Sequence, residues 1–125
     1  KYKAGDQFTE GGKPVNGKRD ICDIYAIMYE TSESVPTLDG TNAFTSPNLI
    51  STARINNAKE TNEWTYFKLP FTTLPGKFID KEKLMDGKYN IAIVFTSSLE
   101  GDHFNGAIGS TLLIDEAELI YHSEN

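Results

Sequence analysis

Apolar residues recur along the chain mainly at every second position, in short runs broken by Gly, Pro, Asn, Asp and Ser, the pattern of half-buried strands. The clearest run is Ile21 to Tyr29, in which Cys22, Ile24, Ala26 and Met28 alternate with Asp23, Tyr25, Ile27 and Tyr29, and both faces read as largely covered. Leu49 to Ile55 sets Leu49, Ser51, Ala53 and Ile55 against Ile50, Thr52 and Arg54. Trp64 to Phe71 places Phe67, Leu69 and Phe71 on one face and Trp64, Tyr66 and Lys68 on the other, with Pro70 marking its end or a sheet edge because proline cannot donate to a ladder. Tyr89 to Thr96, rich in β-branched and aromatic residues, predicts a central strand. Thr111 to Tyr121 predicts a last strand with Leu113, Asp115, Ala117, Leu119 and Tyr121 in one row, and a weaker strand falls around Gln7 to Thr9. The one helical stretch is Asp80 to Met85, where Asp80 is placed to cap the first turn and Asp86-Gly87 to end it.

Short strands with turn signals between them and almost no helix describe an all-β protein, an antiparallel β-sandwich. A jelly roll uses about eight strands, so either the stretch from Glu30 to Asn48 hides further ones or a preceding segment supplies them. That stretch has no clear periodicity and carries Ser32, Ser34, Pro36, Gly40, Asn42 and Pro47. Irregular connections beyond about 12 to 15 residues are uncommon unless functional, which makes it a candidate binding loop with one exposed aromatic, Phe44.

The 125 residues fit one domain, and 38% hydrophobic residues suffice for a core. The net charge of −6 is concentrated: residues 86–125 hold Lys88 against seven carboxylates, whereas the preceding part of the chain is balanced. A sequence pI near 4.8 argues against nucleic acid or an anionic membrane surface as partner. The single cysteine, Cys22, excludes an intramolecular disulfide and reads as a small core residue. No apolar run approaches the ~18 residues of a membrane-spanning helix. The chain begins at Lys1 without Met, and it is expected to be the C-terminal part of a longer polypeptide.

Four stretches together resemble one family. They are Asp20-Ile21-Cys22-Asp23-Ile24-Tyr25-Ala26, the run Glu63 to Phe71 (EWTYFKLPF), the run Tyr89 to Ser98 (YNIAIVFTSS) and the run Gly101 to Glu116 (GDHFNGAIGSTLLIDE). The resemblance is to the putative carbohydrate metabolism domain found at the C-terminus of secreted and surface proteins of gut bacteria, and it covers most of residues 1–121. It implies a jelly-roll, galactose-binding-like sandwich of the kind seen in carbohydrate-binding modules. It also implies an N-terminal domain on the same polypeptide, opening strands that lie before Tyr2-Lys3, and a secreted or cell-surface location.

Sandwiches bind sugars with aromatic faces that stack on the pyranose ring and with carboxylates, amides and arginines that hydrogen-bond its hydroxyls. Trp64 and Tyr66, joined by Tyr25 and Tyr29 from a neighbouring strand, are candidates for such a platform, the alternative being that these rings are core or edge packing. Asp102 and His103, beside Glu100 and Asn105, form a candidate polar site or a solvated turn. Asp115 on an inward row needs a partner, since a bare buried charge costs several kcal/mol. Sugar modules that resemble this chain hold a structural calcium near the last strand, and calcium takes about six to eight oxygens with few other demands. A bulge at Asp115-Glu116 would instead turn the side chain to solvent.

Enzyme signatures are weak. The chain has no Gly-x-Ser-x-Gly elbow, His-Glu-x-x-His or phosphate loop, and only two histidines, His103 and His122. The expectation is therefore a non-catalytic module that binds an oligosaccharide or polysaccharide. The alternatives are a structural or adhesion domain packed on its N-terminal neighbour, and part of a glycoside hydrolase.

Overall fold

The longest alternating runs of the sequence become the longest strands. In the computed structural model, which describes residues 1–39 and 42–121, the elements in chain order are β1 (Tyr2–Lys3), β2 (Phe8–Glu10), β3 (Lys13–Pro14), β4 (Asp23–Glu30), β5 (Leu49–Arg54), β6 (Thr72–Thr73), α1 (Lys81–Met85), β7 (Tyr89–Thr96), a 3-10 turn (Gly101–His103), β8 (Gly106–Ala107) and β9 (Thr111–Leu112). Gly40, Thr41 and the tail that carries His122 lie outside the described residues. Every pairing is antiparallel. The strands form a four-stranded sheet in the order β6-β5-β4-β7, a three-stranded sheet β3-β2-β8 and the pair β1-β9. The chain is nearly all-β, as the alternation predicts.

β4 is the centre of the large sheet because both of its faces are apolar enough to lie under something. It pairs with β7 from Asp23↔Thr96 to Glu30↔Tyr89 and with β5 from Tyr25↔Arg54 to Tyr29↔Leu49. On one face Tyr25, Ile27 and Tyr29 pack with Leu38, Ala43 and Leu49, so the long connection after β4 folds back over the sheet as the lid of this core. A second cluster joins Tyr2, Ala4 and Cys22 beneath β1. Burial pushes the Tyr2 phenol up to about 12 while its hydroxyl donates to the Ser97 carbonyl at 2.9 Å. The Cys22 thiol is also pushed up by burial, which keeps it neutral. Helix α1 forms where predicted: the Asp80 carboxylate accepts from the Glu82 and Lys83 amides at 2.9 and 3.1 Å, covering donors that the first turn leaves free.

Three expectations are corrected. β7 lies at the edge of its sheet rather than in the middle, since β-propensity reports fit to a pleated surface and not place in the strand order. Residues 64–71 alternate in sequence yet form no strand, and only Thr61 just before them bridges to Tyr2. The predicted last strand stops at Leu112, and Glu116 adopts a left-handed φ of 53° that ends any continuous alternation. Asp115 is consequently exposed rather than on an inward row.

The short sheets are tied to the large one by Asp20. Its buried carboxylate accepts from the Ser98 hydroxyl at 2.5 Å, the Ser110 hydroxyl at 2.6 Å and the Ala107 amide at 2.9 Å, all on Oδ2, while Oδ1 takes the Ile21 amide at 2.9 Å. Gly106 is required beside this knot, because a Cβ there would lie 2.8 Å from Ser98 Oγ and 3.2 Å from Asp20 Oδ2. A second carboxylate, Glu60, takes Arg19 in a two-point pair at 2.7 and 2.8 Å and the Ala4 amide at 2.9 Å. The Arg19 hydrogen bonds foremost, then the Ala4 amide, lower its pKa from 4.5 to about 2.

Two outcomes follow from these carboxylates. Asp20→Ala leaves the buried Ala107 N–H without an acceptor, and a loss of at least about 3 kcal/mol in urea unfolding is expected, given ~1.5–3 kcal/mol for each hydrogen bond to a charged group. Glu60 has a depressed folded pKa, so its contribution is present above pH 4.5 and disappears as pH falls towards 2. In thermal melts across that window, Glu60→Gln is expected to flatten the acid loss of stability relative to the wild-type chain.

Candidate functional site

The antiparallel register brings five side chains of the large sheet to one end of its lidded face. Asp23 and Tyr25 are two residues apart on β4 and share that face. Arg54 stands opposite Tyr25 on β5, and on β7 Val94 stands opposite Tyr25 and Thr96 opposite Asp23. Arg54 reaches diagonally to Asp23 and donates from Nε to Oδ1 at 3.1 Å and from the terminal nitrogen to Oδ2 at 2.6 Å. The Asp23 side chain is almost wholly buried and that of Arg54 is not. A desolvated carboxylate is tolerable here because a planar guanidinium meets both of its oxygens.

The lid adds Phe44. Its ring meets Tyr25 edge-on at 4.9 Å with an interplanar angle of 64°, and the Arg54 guanidinium lies 4.4 Å from the Phe44 ring centre and 5.7 Å from that of Tyr25. Arg54 is thus fixed by a carboxylate on one side and a ring on the other. The ring of Phe44 remains 38% exposed, so it still offers a surface to a ligand.

The opposite wall is the turn after β7, held by Asp20. Within it the Gly101–His103 turn closes with Phe104 in the left-handed region at φ 58°. Asn105 braces it, donating through Nδ2 to Glu100 at 3.3 Å and accepting the Gly11 amide at 3.1 Å. Asp102 and His103 approach each other at 3.7 Å. Together these walls enclose a cleft of about 500 Å³ lined by Asp23, Tyr25, Phe44, Arg54, Glu100, Asp102 and His103 among others. Its charge is partly cancelled internally: Arg54 is matched by Asp23, leaving the carboxylates of Glu100 and Asp102 as acceptors beside an aromatic surface. Such a lining suits hydroxyl groups on an apolar ring and offers no unmatched cation for a phosphate.

Of the residues singled out from sequence, Tyr25, Phe44, Glu100, Asp102 and His103 come together in this cleft. Tyr29 does not join them. It is a core residue whose hydroxyl meets Thr37 Oγ1 at 3.3 Å. Trp64 and Tyr66 do not form a row with Tyr25 and Tyr29, because residues 64–71 make no strand beside β4. Trp64 lies under the Lys1 ammonium at 4.9 Å, and Tyr66, 85% exposed, rims a groove on the other face of the sheet. The desolvation argument for a cation at Asp115 falls away with its exposure, and no group of three or more His, Cys, Asp and Glu converges on a metal position among the described residues. Sequence reading missed Asp23 and Arg54 as site residues. Their signal was a charge set into each of two apolar strands, of opposite sign.

Breaking this pair should be costlier than removing the ring. In chemical denaturation Arg54→Ala, which strands the buried Asp23, is expected to lose about 3 kcal/mol, whereas Phe44→Ala is expected to lose about 1 kcal/mol.

Comparison with known proteins places this geometry in a context. The fold matches the crystal structure of a putative glycoside hydrolase from Bacteroides thetaiotaomicron with a TM-score of 0.97 and 88% identity over 99% of this chain. It matches a second putative glycoside hydrolase, from Bacteroides vulgatus, with a TM-score of 0.80 and 44% identity over 88% of this chain. Both are longer: the chain spans 36% of the first and 44% of the second. No curated protein matches the chain. A carbohydrate-related role is consistent across these matches, and with the family model covering residues 1–120 the chain belongs to the putative carbohydrate metabolism domain family.

Proposed function

We propose that the cleft between Phe44 and the Glu100–His103 turn binds an uncharged oligosaccharide or polysaccharide, and that the chain acts as a non-catalytic glycan-binding module of a secreted or cell-surface protein. The observation that carries this reading is the exposed Phe44 ring, fixed by Tyr25 and Arg54 in the same cleft as the carboxylates of Glu100 and Asp102. A pyranose presents an apolar face of C–H groups to such a ring and its hydroxyls to the acceptors around it. The carboxylates are poorly suited to acid catalysis. Asp23 is locked on Arg54, and Glu100 and Asp102 stand on an exposed turn rather than in the apolar enclosure that an acid catalyst of glycoside cleavage uses.

The second reading, part of a glycoside hydrolase, is favoured by the names of both solved relatives. In that case the cleft would hold the chain of sugars for carboxylates elsewhere in the longer protein.

A glycan array followed by calorimetry on the full-length protein tests the binding reading. Phe44→Ala is expected to weaken the best glycan roughly tenfold, the equivalent of ~1.4 kcal/mol of lost stacking, while Trp64→Ala stays within about twofold of wild type. No glycan signal above background sinks the proposal, and a loss confined to Trp64→Ala moves the site away from the cleft. Release of reducing ends by the full-length protein would favour the hydrolase reading.

A further inference from the structure

The sequence holds two Asn-Gly pairs, Asn16-Gly17 and Asn105-Gly106. In such a pair the main-chain nitrogen of the glycine can reach the side-chain carbonyl carbon of the asparagine, because a following residue without a Cβ leaves that approach open. The fold treats the two pairs differently. Asn105 is held at both ends of its amide: Nδ2 donates to Glu100 Oε2 at 3.3 Å, and Oδ1 accepts the Gly11 amide at 3.1 Å. Gly106 stands opposite Thr9 in the β2-β8 ladder and is pressed against Ser98 and Asp20. Neither group of a ring closure is free to move there. Asn16 and Gly17 instead form an exposed turn between β3 and the stretch that leads to Asp20. Neither residue makes a hydrogen bond to any described residue, through main chain or side chain. Gly17 stands at φ 82° with open space around it, so both the attacking nitrogen and the side chain it attacks can sample the geometry that ring closure needs.

We propose that Asn16 is a site of spontaneous modification, at which the protein deamidates and isomerises through its own backbone, while the fold protects Asn105 from the same reaction. The Gly17 amide nitrogen, deprotonated by hydroxide, attacks Asn16 Cγ. A new N–C bond forms, the bond from Cγ to Nδ2 breaks, and the side-chain nitrogen takes protons from water and leaves as ammonia. Water then adds to one or the other carbonyl of the five-membered imide and opens it to aspartate or isoaspartate. One water is consumed and one ammonia released, with no oxidant, metal or cofactor in the balance. The isoaspartate form carries an added main-chain carbon between β3 and Asp20, and either product adds a carboxylate to a chain that is already acidic. Residues 16–19 are exposed, so the lengthened backbone is taken up before it reaches the Asp20 knot. The inference is independent of what the cleft binds.

Peptide mapping by mass spectrometry tests it on the full-length protein, incubated at mildly alkaline pH with and without urea. In the folded protein the amide-to-acid mass change is expected at Asn16 at least about tenfold faster than at Asn105, and in urea, where the fold protects neither, the two rates converge. An Asn16 that stays unmodified, or equal rates at the two positions in the folded protein, overturns the proposal. Isoaspartate is expected among the products, and aspartate alone overturns the ring-closure route in favour of direct hydrolysis. Gly17→Ala places a methyl group beside the attacking nitrogen and is expected to slow the reaction at Asn16 by at least about tenfold, with the Asn105 rate in the same sample as the control for folding. An unchanged Asn16 rate in that variant overturns the assignment of Gly17 as the nucleophile.

Discussion

A buried carboxylate must find donors, and Asp20 finds four. Ser98, Ala107 and Ser110 come from the end of β7, from β8 and from the turn before β9, and all three converge on one oxygen. The knot therefore fixes three separate stretches of the last third of the chain against the start of β4. Together with the Leu99 amide on the Ile21 carbonyl at 2.7 Å and the Gly11 amide on Asn105, it positions the Glu100–His103 turn relative to Phe44 and Arg54. A residue that does not line the cleft thus helps to shape it, and the close approach at Gly106 is the steric cost of that arrangement.

The two faces of the large sheet differ in how they are covered. One is closed from within the chain by the connection after β4, and the rim of that closure is where aromatic and charged groups meet. The other is an apolar groove in which Ile24 and Ala53 are buried and Ile93 and Phe95 partly exposed, walled by residues that make no ladder among those described. The cleft and the groove thus sit on opposite sides of the same strands.

What the sequence shows and what it hides divide by distance along the chain. Leu49–Arg54, Tyr89–Thr96 and the Asp80 cap were legible because their signals are local: alternation in the strands and a capping oxygen two and three residues from its amides. The two-residue strands β1, β8 and β9 were not, since each exists only through a partner about a hundred residues away and is too short to show a period. Trp64 to Phe71 alternates convincingly but has nothing to pair with among the described residues, which shows that alternation reports a capacity for pairing and not pairing itself. In the cleft, Tyr25, Asp102 and His103 could be chosen by residue type. The Asp23–Arg54 pair spans 31 residues and emerges only from the β4-β5 register.

The acidic excess of the last third also has a consequence for solubility. Glu116 and Glu118 stand on the wall of the apolar groove, beside β7, whose outer edge is unpaired among the described residues. Two copies meeting there would bring like charges together at the moment their edges tried to pair, and gatekeeper charges of this kind discourage edge-to-edge association. A strand with Lys or Arg at its flanks would feel the opposite force. The acidic excess of residues 86–125 thus places two of its carboxylates, Glu116 and Glu118, where like charges oppose the pairing of two copies.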